Sequence, residues 1–241
     1  MRTKKRYTEG ESVGFDLSIS DLMSALCGIF ALIMITVVVQ LNTTKAEYIA
    51  KNQKAEEYYS MQHDLYEELN KEFEKDLKKW NAEITPDLTI RFKDSNVLFE
   101  PWKANLKPDF QKILNDFFPR LILILEKDPY KEEIEEIRIE GHTAREGRKS
   151  LNQDYKEGME LSQERTREVM LHCLGTLKNT DREWVQSNIA AIGYSLSRPV
   201  RNKDNNEINW EASRRVEFKI KTKAEKVIEE MADNKFKVEH E

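Results

Sequence analysis

The strongest pattern in the chain is one apolar run, Leu22 to Val39, which reads LMSALCGIFALIMITVVV and holds 18 residues without a charge. That is long enough for a membrane-spanning helix. Phe15, Leu17 and Ile19 precede it at alternate positions, so the helix can begin earlier and cross with some tilt. A cleaved signal has a shorter apolar core, about 7–15 residues, and ends on a small-x-small site. Here the run leads into Val37-Val38-Val39-Gln40-Leu41-Asn42. A retained anchor over 17–41 is therefore expected, behind a tail over 1–16. From Thr43 to Trp80 there is neither Gly nor Pro. Tyr58, Met61, Leu65, Leu69, Phe73, Leu77 and Trp80 recur at spacings of three and four, which predicts a helix with one apolar face. This stalk, over 42–85, can pair with a second copy or dock on the domain that follows.

The remainder alternates between strand and helix signals over 86–222. Leu88 to Phe92 alternates as a strand, with a turn at Lys93–Asn96 and a short strand Val97 to Phe99. Lys107-Pro108 opens a helix carrying Phe110, Ile113, Leu114, Phe117 and Phe118 up to Pro119. Leu121 to Leu125 continues that helix, with a strand as the alternative. Ile134 to Ile139 reads as a strand ending at Gly141, Leu161 to Leu177 as a helix, and Ile189–Ile192 and Val216–Ile220 as strands. A leading hairpin followed by this order predicts an α+β domain, a mixed sheet with helices on one face. The segment 223–241 is charged and reads as a fraying helix.

Charge sets the orientation. Arg2, Lys4, Lys5 and Arg6 sit in the short N-terminal tail, whereas the lysines after the run are interleaved with acids and lead into a long domain. Short flanks decide topology, so the N-terminus is expected in the cytoplasm and the domain in the periplasm. The net charge of −5 comes from 39 basic and 44 acidic residues well mixed along the chain, which gives no footprint for nucleic acid. Cys27 and Cys173 lie in unlike surroundings and are not expected to pair. The histidines at 63, 142, 172 and 240 have no metal-ligand spacing, so neither a metal nor a cofactor is expected. No nucleophile–base pair, paired-carboxylate motif or phosphate loop points to an enzyme.

Asp21 stands at the edge of the apolar run. An aspartate at a helix centre costs about 2.5–3.5 kcal/mol on insertion scales. It can act as an N-terminal cap at the membrane edge. It can also belong to a functional face, because Ser18, Asp21, Ala25 and Gly28 share one side of a helix with Ser24 adjoining. Small residues there admit a neighbouring helix. A carboxyl that is charged when wet and neutral when desolvated can carry an ion, H+ in the first place and Na+ as the alternative.

Several segments resemble known families. Val97-Leu98-Phe99, Ile139-Glu140-Gly141-His142-Thr143, Leu161-Ser162-Gln163-Glu164-Arg165, Gly193-Tyr194-Ser195 with Arg198-Pro199-Val200, and Arg214-Arg215-Val216-Glu217-Phe218 follow the order of an OmpA-like peptidoglycan-binding domain. Ile19-Ser20-Asp21-Leu22-Met23-Ser24-Ala25-Leu26 resembles the stator B-subunit of bacterial flagellar motors, and the whole layout resembles the B-subunit of Zorya anti-phage defence systems. The resemblance implies an α/β sandwich behind a single span. It also implies a dimer set inside five copies of a multi-span A-subunit, with ions passing at Asp21 and Ser18, Ser24, Ala25 and Gly28 facing the channel. For the outer domain it implies peptidoglycan contacts at Thr143, Leu161, Arg165 and Arg215, with Arg165 matching the arginine that pairs with the diaminopimelate carboxylate. Three positions depart from the pattern. Ala144 replaces its aspartate, Gly158 its asparagine, and Ser213 the asparagine before the two arginines. Taken alone, Arg165 reads as a surface helix residue paired with a neighbour such as Glu168.

Overall fold

In the computed structural model, which describes residues 10–93, 98–145, 147, 149–223 and 225, helix α1 runs unbroken from Gly10 to Leu77. From Leu22 to Val39 it carries no charge and is largely apolar around the axis. Leu22, Phe30, Leu32, Met34 and Leu41 are all at least 59% exposed, a surface that requires a non-aqueous or protein neighbour. Among the described residues this is the one helix long and apolar enough to cross a membrane, with a mean hydropathy of 2.7 in its best window. The chain divides into two units between Gln53 and Lys54.

The second unit begins with the last turns of α1. Leu65, Leu69 and Phe73 are fully buried in the core of the domain that follows. Of the two fates open to the stalk's apolar face, docking on its own domain is the one observed. Arg120 fastens it through Glu72 at 2.8 Å and Asp76 at 3.1 Å. Strands β1 (Ala82–Thr85) and β2 (Thr89–Lys93) then form the leading hairpin. Of the expected hairpin partner, Val97 to Phe99, the described Leu98 and Phe99 belong to no strand of the sheet: Phe99 makes an isolated bridge to Leu106. Leu98 and Phe99 are instead core plugs, each 1% exposed, and a core plug and a short strand look alike in sequence. Val97 and the turn residues 94–96 lie outside the described residues, as do 224 and 226–241 of the expected tail.

Helix α2 (Pro108–Leu125) opens on its proline and continues through Pro119, so Leu121 to Leu125 is helical. After the short α3 (Tyr130–Glu133) comes β3 (Ile134–His142), then α4 (Leu151–Thr176), capped by Ser150 and begun ten residues ahead of the expected start. Helix α5 (Asn179–Asn188) leads into β4 (Ile189–Ser195). A small ribbon of β5 (Val200–Arg201) and β6 (Ile208–Asn209), then α6 (Trp210–Ser213), precede β7 (Arg215–Thr222). The main sheet has the order β1-β2-β7-β3-β4, antiparallel except for β3 against β4. Phe117 is central to the core, with ring centroids 5.2 Å from Phe92 and Phe218 and 5.3 Å from Phe73. The mixed α+β class expected from the pattern is the one found.

Gly141 and Gly193 face each other across β3 and β4. A Cβ on Gly141 would lie 2.9 Å from the Ser162 carbonyl oxygen, and one on Gly193 would lie 2.5 Å from the Gln163 backbone nitrogen. The paired glycines thus form a trough that seats α4 at Ser162, and the Ser162 hydroxyl oxygen accepts from the Ser195 N–H at 3.1 Å. This close approach fixes where Leu161 and Arg165 point.

Candidate functional sites

Two separate places carry the residues singled out in the sequence. The first is the N-terminal part of α1. Asp21 lies eleven positions beyond Gly10, about three helical turns. Free N–H groups exist only in the first turn. Asp21 therefore has no helix end to cap, which removes the capping explanation. Ser24 donates to the Ser20 carbonyl at 2.8 Å, satisfying its hydroxyl within the helix. A Cβ on Gly28 would meet nothing within 4 Å, so no contact among the described residues demands a small residue there. Ser20, Asp21, Ser24, Ala25 and Gly28 are exposed. The backbone of Ser18 belongs to the same helix, and its side chain lies outside the described residues.

The second place is a cavity of about 300 Å³ in the C-terminal domain. Thr143, Leu161 and Arg165 all line it; Arg215 does not. The two neighbouring arginines part where β7 begins, Arg214 lying just before the strand and Arg215 opening it. Arg214 reaches the cavity wall, and Arg215 turns into a buried network under it. There Arg215 pairs through Nε with Glu217 at 2.7 Å and donates to the Arg198 and Ser213 carbonyls, both at 3.2 Å.

Arg165 is not the surface residue its sequence context suggests. It is 8% exposed, and its guanidinium stacks on Phe99 at 4.6 Å. Nε donates to the Lys103 carbonyl at 3.0 Å, while Glu168 pairs with Arg167. Among the described residues no carboxylate pairs with Arg165. Burial, aided by the nearby Arg214 charge, pulls its pKa down to about 10. A buried cation without a counter-ion gains most from an anionic ligand.

Acidic groups line the same cavity. The Asp154 side chain is 8% exposed, with Arg145 Nε 3.5 Å from Oδ2, yet Oδ2 has no hydrogen-bond partner; nor has the buried Thr143 Oγ1. Unmet polar atoms on a cavity wall are what a polar ligand satisfies. Ala144 lines this wall where the wall-binding motif carries its aspartate. Gly158 has a steric reason: a Cβ there would lie 2.6 Å from both Thr143 Oγ1 and Ser195 Oγ, so an asparagine would not fit this packing. Sequence reasoning missed Arg214 and Trp102 in the cavity lining.

Beneath the cavity, Glu140, His142 and Glu217 lie together on adjacent strands. His142 Nε2 is 3.3 Å from Glu217 and 3.6 Å from Glu140. Their carboxylates are already met by Arg91, Arg138, Arg198 and Arg215, so a metal ion there would face guanidinium groups. Burial alone would raise the Glu217 pKa, but the neighbouring His142 ring and Arg215 outweigh it and hold the carboxyl far below its usual range. A depressed carboxyl stabilises the fold above its unfolded pKa, near 4.3, and that contribution fades as pH falls toward the folded value. Glu217→Gln is expected to cost about 3 kcal/mol at neutral pH. The cost should shrink between about pH 4 and pH 2, as followed by denaturant unfolding of both proteins across pH. An unchanged difference at low pH would show that Glu217 is not the group involved.

No family model matches the chain. It is 41% identical over 223 residues to the Zorya protein ZorB of Escherichia coli, spanning 89% of this chain and 92% of that one. Among solved structures, a MotB-like protein from Desulfovibrio vulgaris is 24% identical, covering 69% of this chain and 94% of its own at a TM-score of 0.48. The cell wall anchor of the T6SS from Pseudomonas aeruginosa is 21% identical, covering 64% and 97% at a TM-score of 0.44.

Proposed function

This chain belongs to the ZorB family of Zorya proteins, and from that premise we propose that it is the B-subunit of an ion-driven motor of the bacterial inner membrane, acting in anti-phage defence. The observation that carries the reading is Asp21, a carboxyl about three turns into α1 and at the head of its exposed apolar run, with no helix end to serve. Lipid offers such a group no partner, so protein must surround it. Two copies of this chain stand within a ring of five multi-span A-subunits, N-termini in the cytoplasm. The Ser18, Ser24, Ala25 and Gly28 positions face the ring. Protons, or Na+ as the alternative, bind and leave Asp21 in turn. Each change of charge favours a different neighbouring surface, so the ring steps around the dimer. The membrane potential contributes about 2.3 kcal/mol per charge per 100 mV.

The outer domain holds the dimer still by binding peptidoglycan in its cavity. Arg165 takes a stem-peptide carboxylate, for which a guanidinium is suited by bidentate hydrogen bonding. Thr143 and Leu161 form the adjoining wall. Asp154 supplies the acceptor for an ammonium group that Ala144 cannot. Arg215 supports the floor through Glu217. Losing one charge-assisted contact costs about 1.5–3 kcal/mol. Arg165→Ala should therefore weaken cosedimentation of the full chain with purified sacculi by about tenfold or more. Asp154→Asn, nearly isosteric and clear of the Phe99 stack, should weaken it several-fold. Equal sedimentation of both variants and wild type would reject the cavity as the wall site. A passive tether between membrane and wall would share this result, so the ion-carrying part rests on Asp21 alone.

A further inference from the structure

Trp102 is 61% exposed and lines the same cavity. Its backbone explains why it stands out. The Lys103 N–H donates to the Glu100 carbonyl at 3.1 Å, closing a four-residue turn with Pro101 second and Trp102 third. Trp102 has φ +61, the left-handed value that the third position of such a turn reserves for glycine. A bulky side chain there is a true outlier, and outliers of this kind persist where surroundings over-determine them. The surroundings do so here. Arg165 Nε donates to the Lys103 carbonyl at 3.0 Å, and Lys103 Nζ pairs with the Glu100 carboxylate at 2.7 Å. The buried arginine thus clamps a turn whose effect is to hold an indole in solvent at the cavity mouth.

The cavity is small and lined by apolar and charged groups alike. At about 300 Å³ it sits at the low end of small-molecule sites, which run to roughly 300–1,000 Å³. That volume suits the charged end of one residue, not a peptide together with a sugar. Whatever is joined to the bound peptide must lie across the mouth, over Trp102. A pyranose ring offers an apolar C–H face edged by hydroxyls, the complement of an exposed indole plane beside polar groups.

We propose that Trp102 is a stacking platform for a sugar ring of the glycan, so that the cavity reads sugar and peptide together. This rests on the peptidoglycan reading above, and the test separates the two. Binding of the full chain in detergent would be measured against two probes: a soluble disaccharide–tetrapeptide, and the same tetrapeptide freed of its sugars. Trp102→Ala should weaken binding of the disaccharide–tetrapeptide by about tenfold. It should leave the free tetrapeptide unaffected, and Trp102→Phe should restore most of the loss. Loss of affinity for both probes alike would overturn the proposal, because the indole would then serve the peptide, for instance over its ammonium. No loss for either probe would overturn it too. Failure of the wild type to bind either probe would overturn the peptidoglycan reading itself and this proposal with it. Trp102 is exposed, so unchanged thermal unfolding of both variants is expected, and a fall in Tm would mark a packing role instead.

Discussion

Asp21→Asn is expected to express and assemble like the wild type and to reduce phage protection to that of a strain lacking the gene. Asparagine matches aspartate in size and keeps one acceptor, so helix packing on a small-residue face is preserved. What it loses is the ability to gain and release charge, and a cycle driven by that change stops altogether. Asp21→Glu keeps the carboxyl but moves it outward by one methylene, so weak residual protection is expected. A capping aspartate would behave differently, since asparagine caps about as well. About three turns of helix ahead of Asp21 already leave it no cap to make. Plating efficiency of phage at matched protein levels reads the outcome, and normal protection by Asp21→Asn would remove the ion-carrying role.

The largest effect on stability is expected at Gly193. Its Cβ would come within 2.5 Å of the Gln163 nitrogen and 2.8 Å of the Ser162 backbone carbon, so no rotation of a side chain relieves the clash. Overpacking usually costs about 1–3 kcal/mol. Here backbone must move against backbone, and Gly193→Ala should reach about 3 kcal/mol or more. Gly175 is the control: nothing lies within 4 Å of its added Cβ, and it sits within α4. Gly175→Ala should stabilise by up to about 1 kcal/mol through helix propensity. Thermal unfolding of the full chain compares them. Equal melting of the two variants would mean that the Gly141–Gly193 trough does not seat α4. Loss of that seating should also weaken sacculus binding, because Leu161 and Arg165 ride on the same helix.

What was legible in the sequence had a strong period or a long run behind it. The span at Leu22–Val39, the three-and-four spacing through Leu65, Leu69 and Phe73, and the alternation in β2 and β7 each follow from one dominant burial pattern. Element ends were less legible. Helix α4 starts at Leu151 because Ser150 caps it, but Leu151, Tyr155 and other early residues are exposed and leave no apolar stripe to read. Strand β1 is four residues of which only Ile84 is buried, too little for a pattern, so the hairpin was assigned to the wrong partner. In the candidate site, Thr143, Leu161 and Arg165 come together because the resemblance kept their order. The exchange of Arg215 for Arg214 at the wall depends on where β7 begins, a one-residue matter that sequence settles poorly. The cradle of Arg165 and the left-handed Trp102 arise from contacts between segments more than sixty residues apart, Arg165 with Glu100 and Lys103.

Ion flux tests the central claim most directly. This chain would be co-purified with the proposed multi-span partner subunit, reconstituted into liposomes, and challenged with a membrane potential while a pH-sensitive dye reports the lumen, with a Na+ dye in parallel. The account predicts potential-driven flux of one ion with wild type and none above empty liposomes with Asp21→Asn, at equal incorporation of both complexes. Equal flux from wild type and Asp21→Asn, or no flux of either ion from an intact wild-type complex, would contradict it and leave a tether between membrane and wall.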